Sequence, residues 1–264
     1  MVVFVAYEFL DGCRRDRRGR SRSVPGREDF RINRGMRRGT GIARGVAVGV
    51  AAILVTVALA AELPRGFVYL KDVDSSIAIE VRYATTNNFV GAKVDGYQAK
   101  RIIMTRQAAE ALSRVQADLK SQGYGLKVFD AYRPQQAVNH FVRWTRDRRD
   151  LKTKKEYYPD VAKTSLLGGG YISSRSRHSS GSTIDLTLVQ LSSGKELDMG
   201  TPFDFFGPES SHHSRAVTEA QRANRQLLKN AMSKGGFFSY HKEWWHYTLR
   251  NEPFAGRYFD FPVR

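Results

Sequence analysis

Residues 176–185 read Ser-Arg-His-Ser-Ser-Gly-Ser-Thr-Ile-Asp, and the fold turns on how this stretch is understood. The serines and Gly181 favour a loop, after which Ile184, Leu186 and Leu188 alternate with Asp185 and Thr187 as a strand does. His178 then sits on the loop and Asp185 on the strand, with Gly181 letting the backbone bend between them. An imidazole and a carboxylate brought together this way can serve as two of the three protein ligands of a catalytic zinc. The third ligand and a general base must come from elsewhere, and Glu243-Trp244-Trp245-His246 offers both. A catalytic zinc keeps one position open for water, and a nearby carboxylate can take that water's proton. Read singly, a His near an Asp is an ordinary hydrogen-bonded or surface pair, and so is a Glu three residues before a His.

Spacing sorts the roles. Residues three apart in a flat strand face opposite sides, so Glu243 and His246 cannot both reach one metal from within a strand. Glu243 is expected on the turn before a strand and His246 inside it. One zinc per chain is then held by His178, Asp185 and His246, leaving Glu243 as the base. His140 reads as a partly buried helical residue and His212-His213 as a polar loop, because adjacent side chains rarely converge on one ion. His241 is placed to support the Glu243 turn by a hydrogen bond.

The chain has 264 residues and a formal net charge of +17, unevenly distributed. Residues 1–35 are Arg-rich with no apolar period, and read as unstructured or as an overextended start ahead of Met36. From Met36 the pattern changes: Arg37, Arg38 and Arg44 precede an apolar run over residues 45–59, and Ala58-Leu59-Ala60 is a small-x-small cleavage signal. That order is the layout of a secretory signal peptide over residues 36–60, with a membrane anchor as the alternative. The expected location is periplasmic or otherwise exported, without stable membrane insertion once the signal is removed. No basic helix with interleaved aromatics is present, which argues against nucleic acid as a partner. Cys13 is the only cysteine and precedes residue 61, so the mature chain has neither disulfides nor a thiol nucleophile.

Residues 61–264 remain as one domain of mixed α and β character. Residues 77–83 alternate as a strand. Thr105 caps a helix running to about residue 122, striped by Ala109, Leu112, Val115 and Leu119 and ended by Gly123. A short strand over 126–129 leads to Asp130, and Pro134 suits the first turn of a helix through Trp144 with Val138, Phe141 and Val142 buried. Residues 145–175 read as a long loop. Thr218 and Gln221 form a capping box for a helix to about Lys234, and residues 237–240 and 245–249 read as closing strands.

Ser-x-His-x-x-Gly-x-x-x-Asp followed by Glu-x-Trp-His resembles the zinc D,D-peptidases, most closely the VanX-type D-alanyl-D-alanine dipeptidases. Tyr83-Ala84-Thr85, Asn88-Phe89, Asp95-Gly96-Tyr97, Asp130-Ala131-Tyr132-Arg133-Pro134, Phe203-Asp204-Phe205 and Tyr258-Phe259-Asp260-Phe261-Pro262 carry the resemblance across residues 67–264. Thr183 stands where the family pattern has Ala. The resemblance implies an α+β fold, the one shared with zinc D,D-carboxypeptidases and the hedgehog signalling domain, with a central antiparallel sheet flanked by helices. It implies hydrolysis of D-alanyl-D-alanine to two D-alanines. Read alone, Arg133 beside Pro134 is a structural salt-bridge former; the resemblance makes it the arginine that stabilises charge on the carbonyl oxygen, held by Asp130. Likewise Asp204 alone is a loop acid between core aromatics, whereas the resemblance pairs it with Tyr83 at the substrate ammonium and puts Ser176 beside the substrate backbone. Trp244 and Trp245 are read as core and pocket wall. The rivals are a D,D-carboxypeptidase acting on peptidoglycan stems and a catalytically silent zinc-containing binding module.

Overall fold

A computed structural model describes residues 62–264. The readings of residues 1–35 and 36–60, including Cys13 and the cleavage signal, lie outside the described residues. The chain opens with β1 (Phe67–Tyr69), α1 (Leu70–Val73) and β2 (Ala78–Ile79). After β3 (Ile103–Thr105) come α2 (Arg106–Lys120), β4 (Tyr124–Asp130) and α3 (Gln135–Arg146). Two short helices, α4 (Lys154–Tyr157) and α5 (Lys163–Leu166), precede β5 (Thr183–Gln190). The long α6 (Glu219–Lys234) then leads into the hairpin of β6 (Phe237–Ser239) and β7 (His246–Leu249).

Five strands form one sheet in the order β2-β4-β5-β7-β6, and β1 pairs with β3 separately. The sheet is antiparallel apart from the parallel edge pair β2–β4. Its middle strand is the alternating run read from the sequence. Thr183, Asp185 and Thr187 face one side and Ile184, Leu186 and Leu188 the other, and all are buried. Helices α2 and α6 pack on each other and against β4 and β5. Truncating one buried leucine of such a layer typically costs about 2–5 kcal/mol, so this apolar face is a main source of stability. Thr183 fits without disturbance, its hydroxyl bonding that of Thr248 at 2.9 Å.

The helix signals hold. Thr105 accepts a hydrogen bond from the Ala108 N–H, and its helix buries Ala109, Leu112, Val115 and Leu119. Thr218 and Gln221 close a full capping box on α6. Pro134 lies one position earlier than expected, at the N-cap of α3, and Val142 is only half-buried.

Two segments differ from expectation for identifiable reasons. The strand expected over 77–83 stops after β2, and the chain curls into a 3-10 turn at Arg82–Ala84. Asn88 drives the curl: its Nδ2 donates to the carbonyls of Arg82, Thr85 and Ala92 while its Oδ1 accepts from Val90 and Gly91. The loop expected over 145–175 contains α4 and α5, organised by lysines rather than by an apolar period. Lys154 Nζ donates to the carbonyls of Tyr158, Pro159 and Val161, and Lys163 Nζ to those of Asp147 and Asp150.

Candidate active site

Strand register builds the centre of the site. Asp185 on β5 stands directly opposite His246 on β7 and opposite Asp130 on β4. The last pairing needs a register shift in β4 between Val128 and Asp130. Without that bulge, Asp130 would face the α2–α6 side. The bulge turns it toward Asp185 instead.

His178 arrives from a 3-10 turn, Arg177–Ser180. Ser176 caps this turn by accepting from the His178 N–H, and Gly181 ends it in the left-handed region at φ 84°. A Cβ on Gly181 would come within 2.3 Å of the Phe67 ring, so only glycine fits. The His178 Nδ1–H donates to the Ala131 carbonyl at 2.7 Å, which fixes the tautomer and turns the Nε2 lone pair inward. That nitrogen lies 3.3 Å from Asp185 Oδ2 and 3.3 Å from His246 Nδ1. His246 Nδ1 is in turn 3.1 Å from Asp185 Oδ1.

Two nitrogens and a carboxylate converging without bulk between them fit a zinc ion. Asp185 Oδ1 is buried and accepts no hydrogen bond, so a lone pair there is left for a cation. Burial holds His246 below the usual imidazole range, which keeps it neutral and able to ligate. Burial works against ionisation of Asp185, but the His178 and His246 imidazoles outweigh it and hold its carboxyl far below the carboxylate range.

Glu243 lies in the turn joining β6 to β7, as the spacing required, with Oε2 3.5 Å from His246 Nδ1. Burial, reinforced by the charges of Asp185 and Asp204, pushes its carboxyl well up. A carboxylate that readily takes a proton is what a general base near neutral pH needs. Arg133 reaches the same centre from the other side. Its Nε donates to Asp130 Oδ2 at 2.9 Å and its Nη2 to Asp185 Oδ2 at 3.2 Å. The guanidinium lies over the rings of Tyr83 and Phe141, which fix its plane.

Asp130 itself is sealed, accepting also from the Tyr97 hydroxyl at 2.6 Å. It is fully buried and bonds Arg133, as the resemblance implied, and it does not line the cavity itself. The other eight residues singled out in the sequence all line a single cavity of about 710 Å³. At its far side the Tyr83 hydroxyl donates to both oxygens of Asp204, at 3.1 and 3.0 Å. Burial and the negative charge of Asp185 push the Asp204 carboxyl up to about 8.

The family described as D-ala-D-ala dipeptidase, a peptidase family, matches residues 64–264. The chain belongs to it. A D-alanyl-D-alanine dipeptidase of Enterococcus faecium is 42% identical, covering 75% of this chain and 98% of that protein. One from Streptomyces coelicolor is 43% identical, covering 75% and 98%. Among solved structures, the LdcB LD-carboxypeptidase aligns with a TM-score of 0.37 and 17% identity over 73% of this chain and 71% of its own.

Within this dipeptidase-family site the remaining histidines stay apart from the ligand cluster. His140 Nδ1 accepts from the Asp95 N–H on the flank of α3. His212 packs near Tyr247, and burial pushes it down to about 3, so it is a neutral structural ring. The His241 side chain is exposed; the turn is braced instead by its carbonyl, which accepts from His212 N–H and the Ser211 hydroxyl. Trp245 forms cavity wall against Phe203, as read. Tyr97 and Phe141 were not foreseen in their roles. Tyr97 bonds Asp130, and Asp95-Gly96-Tyr97 was its signal; Phe141, read from sequence only as a buried helix residue, lies under the Arg133 guanidinium and lines the cavity.

Proposed function

We propose that the protein hydrolyses free D-alanyl-D-alanine to two D-alanines, with His178, Asp185 and His246 holding one zinc ion. Zinc bound there supplies Lewis-acid polarisation of the scissile carbonyl and acidifies a water molecule. Glu243 accepts the water's proton as the new C–O bond forms, and returns a proton to the departing amine as the C–N bond breaks. Arg133, with its plane fixed by Asp130 and the two rings, stabilises the negative charge that develops on the carbonyl oxygen. Asp130 and Tyr97 carry that orientation without meeting substrate.

One observation supports a dipeptidase over its rivals: Asp204 is buried at the wall of the same cavity as the ligand cluster, with only a hydroxyl for company. A carboxylate raised to about 8 by burial lacks a cation, and a substrate ammonium provides one. A longer peptide presents a neutral amide there, and a carboxypeptidase needs an open groove in the same place. The kinetic comparison of D-alanyl-D-alanine with its N-acetyl form tests this. Acetylation removes the charge and adds bulk, and stranding a buried polar group costs about 10⁴-fold or more in kcat/KM. Comparable rates on both, or on a pentapeptide stem, favour the carboxypeptidase.

Export is part of the same proposal, supported by the Arg37, Arg38, apolar-run and Ala58-Leu59-Ala60 order. Outside the cytoplasm the enzyme serves turnover of wall peptides and recovery of D-alanine. N-terminal sequencing of protein from the native host is expected to start near Ala61. An intact start carrying Arg37 on a membrane-bound protein supports an anchor instead.

A further inference from the structure

Asp204 is the only non-glycine among the described residues with a left-handed backbone, at φ 65°. Asp adopts this region more readily than most residues, yet it persists only where neighbours impose it. Here the neighbours come from α6. Arg225 is buried, and its Nε donates to the Met199 carbonyl at 2.7 Å. Its Nη1 donates to the carbonyls of Glu209 and Ser211, each at 2.8 Å. These three carbonyls bracket the excursion that carries Asp204. Among the described residues no carboxylate pairs with the guanidinium; the Asp198 oxygens accept from the Gly200 N–H and Gln221 Nε2 instead. Inside the bracket, the Ser210 hydroxyl donates to the Phe205 carbonyl at 2.6 Å, next to Asp204. Ser210 also meets Thr201 Oγ1, which accepts from Trp244 Nε1, and the Ser210 carbonyl accepts from the Trp244 N–H. The loop is thus fastened on one side to α6 and on the other to the residue following Glu243.

We propose that Arg225 is a positioning residue for substrate selection: by clamping the ends of the 199–211 loop it sets where Asp204 stands relative to Glu243, and so admits a dipeptide bearing a free ammonium. This rests on Asp204 being the ammonium site. The clamp touches none of the elements that carry the ligand cluster, which are the Arg177–Ser180 turn, β5 and β7, so its effect is expected on substrate recognition.

The test measures kcat, KM and zinc content for Arg225→Met, Arg225→Lys, Ser210→Ala and Asp204→Asn on free and N-acetylated D-alanyl-D-alanine. Displacing a recognition group by about 1 Å costs about 10²-fold. Arg225→Met is therefore expected to lower kcat/KM for the free dipeptide by about that factor, mostly through KM, with zinc content and kcat at saturation retained. The preference for the free over the acetylated substrate narrows in parallel, and Arg225→Lys restores part of it. In an Asp204→Asn background, Arg225→Met causes no further narrowing, because both act on one contact. A preference unchanged in Arg225→Met while collapsed in Asp204→Asn overturns the clamp alone; one unchanged in both overturns the ammonium reading with it. Equal losses in kcat on both substrates reduce Arg225 to a stability role and also overturn the proposal. If Arg225→Met yields no folded protein, Ser210→Ala decides, with narrowing of the preference expected and its persistence fatal.

Discussion

Asp185 and Asp204 are buried carboxylates on the wall of one cavity, yet their surroundings drive them in opposite directions. Two imidazoles hold Asp185 ionised far below the usual range. Asp204 has a tyrosine hydroxyl and no adjacent cation, and burial carries it up to about 8. The first stands in a strand register between β4 and β7; the second stands on irregular chain fastened by side-chain donors. The contrast agrees with the proposed roles, in which Asp185 serves a resident cation and Asp204 one that comes and goes. On that proposal, strand register sets Asp185 against His246, while a loop sets Asp204.

The sharpest way to break the contrast is at the resident cation. His178→Ala and His246→Ala are expected to lose zinc and, with it, all measurable turnover, and chelation of the unaltered protein is expected to do the same reversibly. Full zinc occupancy in both variants, read by elemental analysis, removes the ligand assignment.

Smaller losses separate the groups around the ligands. Glu243→Ala is expected to keep its zinc and lose about 10²–10⁴ in kcat, the usual worth of a general base. Arg133→Ala is expected to cost about 10²–10³, again in kcat more than KM. Near-normal turnover in either removes that residue from the proposed catalytic machinery.

The smallest effect reads Asp204 directly. Its folded-state pKa lies above the unfolded value, so its stabilising contribution is complete below about pH 4 and is lost as pH rises toward 8. The melting temperature of Asp204→Asn, which cannot ionise, is therefore expected to gain on that of the unaltered protein between pH 5 and 8. A constant difference across that window means Asp204 is already ionised, and the contrast with Asp185 disappears.

The part of this arrangement carried by periodicity and capping was legible in the sequence. The alternation around Asp185, the capping box at Thr218 and the placement of Glu243 on a turn each follow from local rules, and each is present. The one-residue bulge that turns Asp130 toward Asp185 leaves no trace in residues 126–130, because alternation reads the same until the partner strand is known. Arg225 was equally hidden. On a polar helix it looks like any solvated arginine, and its partners are backbone carbonyls, which carry no residue identity. The lysine-organised helices α4 and α5 escaped for the same reason.

The rung joining Asp130, Asp185 and His246 has a consequence for timing. Among the described elements β7 is the last strand in sequence, and it brings His246, the third member of the proposed ligand set. A ribosome-bound chain that has emerged only through α6 holds His178 and Asp185 but no complete triad. If the proposed ligand set is right, catalytic competence waits on the docking of the final hairpin onto β5. Contacts between segments distant in sequence form slowly, so that docking is the natural delay between synthesis and activity.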